Sequence, residues 1–132
     1  MFLFGTRARL LADPKKLGRW GQRQAERFLR RNGWQMLARN FAAGSGEIDL
    51  IAASRSGTIA FVEVKTRRSE AFAPAVSAVN YRKQQKLIRT AKCFLRQYKL
   101  SDCPLRFDVI TVILPRQGPP QIRHYPAAFR PS

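Results

Sequence analysis

The chain has 132 residues, room for one domain around one core. Apolar side chains make up 45% of it, which excludes a disordered polymer, and 25 Lys and Arg against 8 Asp and Glu leave a net charge of +17. A surplus that large on so small a domain points to a polyanionic partner, nucleic acid ahead of an acidic membrane.

Residues 1–12 begin with an apolar Met1-Phe-Leu-Phe4 that Arg7 and Arg9 cut short. This is not a secretory signal, and the stretch is expected to be a loosely ordered tail ahead of a single domain over residues 13–132. Asp13-Pro14 has the form of a helix start, a capping carboxylate followed by proline at the first helical position. The helix should run to about Asn32 and stop at Gly33. Leu17, Gly21, Ala25, Phe28 and Leu29 recur at helical spacing and form its core stripe. Gln22 and Glu26 lie on another flank, one turn apart. Glu26 has Arg30 at i+4, so a surface ion pair is its simplest reading.

Trp34–Phe41 is a short strand with Arg39 and Asn40 near its end, readable either as a turn with a surface arginine or as a phosphate contact. Ala43–Gly46 is a turn. Residues 46–67 are the centre of the chain, two apolar strands joined by the Ser54–Thr58 turn. Into this hairpin the sequence places Asp49, Glu63 and Lys65. Charges in a core strand are costly unless paired or bound to a cation. Alternation puts Glu63 and Lys65 on one face, and Glu47 and Asp49 on one face. An antiparallel hairpin would bring Asp49 beside Glu63. Two carboxylates and an ammonium then make an oxygen-lined site for a hard divalent cation, with Glu47 behind it. The alternative for Asp49 is a structural salt bridge to Lys65.

Arg67 and Arg68 open a basic loop over Ser69–Pro74. A second helix is expected from about Pro74 to Tyr98, with a break near Asn80. Leu87, Ala91, Phe94, Leu95 and Tyr98 form its core stripe. Its other face carries Arg82, Lys83, Lys86, Arg89, Lys92, Arg96 and Lys99 with no acidic residue between Tyr81 and Lys99. A face of one sign argues for a charged partner, and Arg82, Lys86 and Arg89 align to track a phosphate strand. Tyr81 and Tyr98 are read as half-buried helix residues, with base stacking as the alternative. Arg106–Leu114 is a strong strand whose Asp108 is expected to pair with Arg106 or another basic group. Gln121–Tyr125 is a short edge strand, and His124 an edge or surface histidine.

With only two cysteines, Cys93 and Cys103, no CxxC, and one histidine, the usual zinc sites are excluded and a Cys–His or Ser–His pair has little support. The cysteines read as reduced thiols of a cytoplasmic protein. No run approaches the roughly 18 apolar residues of a membrane span.

The spacing Asp49-x13-Glu63-x-Lys65 resembles the signature of the PD-(D/E)XK nucleases, which include restriction endonucleases and Holliday-junction resolvases. More closely, the chain resembles the YraN family of small, basic, nuclease-like bacterial proteins. The resemblance rests on Gly18-Arg-Trp-Gly21, Gly33-Trp34, Leu37–Asn40, Gly46–Ala52, Phe61–Arg67, Lys83, Arg106–Val109 and Ala128-Phe129, in order over nearly the whole chain. It implies a restriction-endonuclease-like α/β fold, a mixed sheet with helices on both faces in the order helix–strand–strand–strand–helix–strand. The order of elements read from the residues agrees.

It also implies a metal-dependent endonuclease acting on DNA, with Asp49, Glu63 and the Val64 carbonyl holding Mg2+ or Mn2+. Lys65 would be catalytic, and Arg67, Arg68, Arg82, Lys83, Lys86 and Arg89 would grip the backbone. By analogy with the resolvases, branched DNA is the expected substrate and a homodimer an expected assembly. In related resolvases a first-helix Glu helps hold the metal; the family has that Glu where this chain has Gln22, and Glu26 could reach the same region from the next turn. An amide brings oxygen but no charge, so a non-catalytic nucleic-acid-binding module is the alternative function.

Overall fold

The computed structural model describes residues 2–44, 46–69 and 80–130. Its elements are α1 (Phe2–Ala12), α2 (Pro14–Arg31), β1 (Gln35–Ala43), β2 (Gly46–Ala53), β3 (Ile59–Arg67), α3 (Tyr81–Gln97), β4 (Leu105–Ile113) and β5 (Gln121–Phe129). Residues 2–12, expected as a loose tail, are helical instead. Arg7 on α1 donates to the carbonyl oxygens of Pro115 and Arg116, and Arg68 donates to that of Leu11. Long-range bonds to backbone oxygens thus hold a segment whose own apolar pattern is weak. The loop expected over Ser69–Pro74 and the first turn of the expected second helix fall largely on residues 70–79, outside the described residues.

The start of α2 follows its local chemistry. The Asp13 side chain accepts from the Lys15 and Lys16 amides, and Pro14 occupies a position whose amide has no helical partner. Leu17, Gly21, Ala25 and Leu29 are buried. Gly21 is needed for contact with the sheet, because a Cβ there would fall inside the Thr66 side chain of β3. Gly33 ends the helix region at a φ of 86°, the left-handed conformation glycine tolerates best.

The five strands lie in the order β1-β2-β3-β4-β5. β1, β2 and β3 form an antiparallel meander. The β2–β3 turn is closed by the Ser54 amide on the Thr58 carbonyl, 2.9 Å. α3 then carries the chain across so that β4 runs parallel to β3. β5 returns antiparallel to β4. It runs four residues beyond the expected Tyr125, because Phe129 stacks on Phe107 of β4 at 4.9 Å between ring centres.

Two separate cores cover the two faces. Ala25 and Leu29 of α2 pack with Leu50, Ala52, Ala60, Val62, Ile110 and Val112. Leu87, Ile88, Ala91 and Phe94 of α3 pack with Ile48, Ile51, Ile59, Phe61, Phe107 and Val109. This five-stranded mixed sheet with helices on both faces is compatible with the restriction-endonuclease-like fold expected from the sequence. No helix among the described residues is long and apolar enough to cross a membrane.

The alternation breaks at one place in β2. Ile48 and Ile51 are three apart yet belong to the same core. Strict period two would set them on opposite faces. On β1, Asn40 has a φ of 49°. Asparagine is among the few side chains that accept that region readily. Both strands therefore bend at Asn40 and Asp49, beside the charged part of the hairpin.

Candidate active site on the central hairpin

Leu50 pairs with Val62 in the β2–β3 ladder. The next step toward the open end of the hairpin brings Asp49 to β3. Asp49 Oδ2 accepts the Val64 backbone N–H at 2.8 Å, which fixes the carboxylate against the strand that carries Glu63 and Lys65. Glu63 is 8% exposed. Its Oε1 accepts from Lys83 Nζ at 2.9 Å and lies 3.6 Å from Lys65 Nζ. The three charges picked out by spacing are thus brought to one part of the hairpin. The Asp49–Lys65 salt bridge considered from sequence does not form, and the lysines attend Glu63 instead.

Lys83 comes from the first turn of α3, whose start is set by the Asn80 side chain accepting the Lys83 amide at 2.9 Å. The sequence placed it with the backbone-gripping residues and also, through the family motif, as a residue able to point back at the site. Its ammonium points inward to Glu63, so it is part of the charged site. Arg82, Lys86 and Arg89 are exposed as expected. Tyr81 and Tyr98 are not half-buried: they are 68% and 54% exposed. Tyr98 rests against Phe94 with ring centres 4.7 Å apart rather than entering the core. Arg67 is exposed beside the site, whereas Arg68 is turned to Leu11 on α1.

Electrostatics separate Asp49, Lys65 and Lys83. Burial, then the Glu63 charge, pushes the Asp49 carboxyl up to about 6, against the opposing pull of the Val64 amide and Lys83. Burial, then the neighbouring Lys83, holds Lys65 below the usual lysine value. Burial also works against charge on Lys83, but the hydrogen bond and charge of Glu63 prevail and hold it above its usual value. One lysine is thus made readier to lose its proton and the other is locked as a cation.

The expected auxiliary residues divide. Gln22 and Asn40 exchange two side-chain hydrogen bonds at 2.8 and 3.2 Å, and Asn40 donates to Glu47 at 3.0 Å. This chain of amides ties α2 to the bend in the sheet. Asn40 carries no charge; its signals in sequence are its place in the Leu37–Asn40 motif and a polar side chain near the end of a strand. Glu26 does not join them. It is held by Arg30 at 3.0 Å and by two bonds from Arg39, one at 2.7 Å. The arginine bond from Arg39 is the leading cause that holds its carboxyl below the usual range.

Two cavities meet at the carboxylates. One, of about 460 Å3, lies on the α3 side and is lined by Glu47, Asp49, Glu63, Lys83 and Lys86 among others. The second, of about 760 Å3, lies on the α2 side between Lys15, Gly18, Arg19 and Gln22 and the sheet residues Glu47, Asp49, Val64 and Arg67. Glu47 and Asp49 border both.

Among the described residues no three carboxylate, thiol or imidazole groups gather as a metal cluster. A cation here would rest on Asp49 and Glu63 and complete its shell with backbone oxygen, water or substrate. That donor set suits Mg2+, which is held in many sites by one or two carboxylates plus phosphate. Both carboxylates line the α3-side cavity, so the residues present fit such a group.

A second buried polar cluster was only half visible in sequence. Asp108 is 1% exposed. It accepts from Arg106 at 3.0 Å, His124 Nε2 at 2.7 Å and the Ala127 amide at 3.0 Å. His124 does lie on the edge strand, but its side chain is only 16% exposed. Its ring meets Phe28 and Trp34 edge-on, and Arg106 sits over Trp34 at 5.1 Å. Burial opposes charge on Asp108, but the bonds from His124, Arg106 and Ala127 outweigh it and hold the carboxyl below its usual range.

Comparison with known proteins agrees with the sequence motifs. Residues 21–112 match the model of "Uncharacterised protein family UPF0102". A UPF0102 protein of Trichlorobacter lovleyi is 42% identical over 113 residues, covering 86% of this chain and 89% of its own. One of Clostridium acetobutylicum is 45% identical over 104 residues, 79% of this chain and 84% of its own. One of Solibacter usitatus is 41% identical over 131 residues, 98% of this chain and 97% of its own. The matched region takes in β1, β2, β3, α3 and most of β4, and with them the whole charged site, and the chain belongs to family UPF0102, the YraN family.

Proposed function

We propose that this protein is a metal-dependent endonuclease that hydrolyses phosphodiester bonds in DNA. The observation that carries the reading is the gathering of Asp49, Glu63 and two lysines on one hairpin in a strongly basic protein. Asp49 and Glu63 hold the cation, with the Val64 carbonyl as a third donor. When bound, Mg2+ or Mn2+ supplies Lewis acidity that activates water and offsets charge on the phosphate.

The chain's own groups do the rest. Lys65, held below its usual value, orients the attacking water and accepts or returns a proton near it. Lys83, held as a cation against Glu63, places fixed positive charge at the edge of the α3-side cavity. Arg67, Arg82, Lys86 and Arg89 take backbone phosphates without reading bases. Gln22 does not carry the charge of a third carboxylate; bonded to Asn40, it fixes the bend that presents Asp49. Sequence preference is therefore weak, and branched DNA is the substrate favoured by resemblance to the resolvases. Such enzymes often pair their active sites, so a homodimer is part of the same proposal.

The test is incubation of the purified protein with duplex and four-way-junction DNA in Mn2+, in Mg2+ and in EDTA. Cleavage in metal and none in EDTA is expected. Tight binding with no cleavage in either metal would replace the enzyme with a non-catalytic nucleic-acid-binding module.

A further inference from the structure

α3 is not the only basic helix in this fold. α2 carries seven Lys and Arg and one acidic residue, Glu26. Arg19, Arg23 and Arg27 stand four apart and are all exposed. Four residues rise about 6 Å along a helix and project on nearly one side. Arg30, at the end of the ridge, is occupied by Glu26. Arg19, Arg23 and Arg27 make no ion pair among the described residues. Three arginines in a row repel each other, and a solvated face usually mixes signs. The row also begins at the candidate site, since Arg19 borders the cavity that contains Asp49.

Resting on the reading of the protein as one that binds DNA, we propose that Arg19, Arg23 and Arg27 form a second phosphate-backbone contact surface, separate from that of α3. Charge complementarity identifies the occupant as a nucleic-acid strand. Duplex DNA carries a phosphate for about every 3.4 Å of axis on each strand, so arginines about 6 Å apart can each meet a phosphate of one strand. α2 and α3 cover opposite faces of the sheet. Their ridges therefore grip different stretches of backbone, and the two cavities that share Glu47 and Asp49 give each stretch a route to the same carboxylates.

The experiment compares three full-length variants with wild type for binding to a DNA duplex over a range of salt. The variants are Arg19→Gln/Arg23→Gln/Arg27→Gln, the same three positions changed to Lys, and Arg82→Gln/Lys86→Gln/Arg89→Gln. The α2 glutamine variant should lower the slope of log affinity against log salt by about 2–3, since each lost phosphate contact removes about 0.9. The lysine variant should keep the wild-type slope, which a purely structural role for the arginines would not predict. An unchanged slope in the α2 glutamine variant, beside a reduced one in the α3 variant, overturns the second surface and leaves the DNA-binding reading standing. Loss of binding to phosphatidylglycerol vesicles with DNA binding unchanged would overturn it in favour of a membrane. No DNA binding by wild type at low salt would remove both.

Discussion

Replacing Asp49 with Asn is expected to reduce metal-dependent cleavage by about 10^2–10^3-fold or more, the scale on which a single group that stabilises the transition state is felt. The same change should leave the fold intact or strengthen it. The new amide keeps an oxygen for the Val64 N–H that Asp49 now accepts. It removes a carboxylate whose ionisation burial and Glu63 disfavour, to the point that its pKa rises from 3.8 to about 6.

A carboxyl raised on folding stabilises the native state most when protonated. That contribution is complete below about pH 4 and fades as pH rises through about 6. At pH 8 in EDTA the ionised group therefore costs wild type on the order of 3 kcal/mol, and the variant should recover part of it. Denaturation between pH 4 and 8 should show wild type losing stability relative to the variant over that window. Added Mn2+ should raise the melting temperature of wild type and not of the variant. Cleavage at the wild-type rate by the variant would remove Asp49 from the reaction.

The largest loss of stability is expected at Asp108. Its carboxylate is buried and joins Arg106, His124 and the backbone at Ala127. Removing one member of a buried ionic group strands the others, typically at about 3–5 kcal/mol. Arg106 keeps a third of its side-chain surface, so about 3 kcal/mol is the expected cost of Asp108→Ala. Asp108→Asn should cost less, because it keeps an acceptor. The pH dependence runs opposite to that of Asp49. A carboxyl lowered on folding contributes above its unfolded value and loses that contribution as pH falls through the folded one. Wild type should therefore lose stability below about pH 4, and the Ala variant should lack that part of the acid sensitivity. Urea titrations at pH 7 and pH 3 measure both effects. An Ala variant as stable as wild type at pH 7 would show that the cluster is not a tie between β4 and β5.

The hairpin was legible because two independent local signals agree there. Apolar runs rich in Ile, Val and Phe on both strands and a short polar turn force the pairing, and pairing forces Asp49 toward Glu63. The ends of α2 were legible for the same reason, with Asp13, Pro14 and Gly33 each acting on its own neighbourhood. What local pattern cannot convey is which distant group answers a buried charge. Glu63 is met by Lys83, twenty positions away and on the far side of residues 70–79. Asp108 is met by His124 across the β4–β5 pairing, sixteen positions away.

At Asn40 a turn was one of two open readings, and sequence did not choose it, since a residue's fitness for a left-handed conformation does not announce that the chain uses it. The helical spacing of Tyr98 put it on the core stripe, but α3 reaches its end there and the ring lies on Phe94, open to solvent. The arginines of α2 were in plain view. Their exposure, and the position of Arg19 beside the carboxylates, came only with the fold.

Anomalous scattering from crystals of the wild-type protein soaked in Mn2+ locates the cation. One peak is expected, in direct contact with both the Asp49 and the Glu63 carboxylates. No peak there, with Lys83 still seated on Glu63 at saturating Mn2+, would contradict a cation site on these two groups.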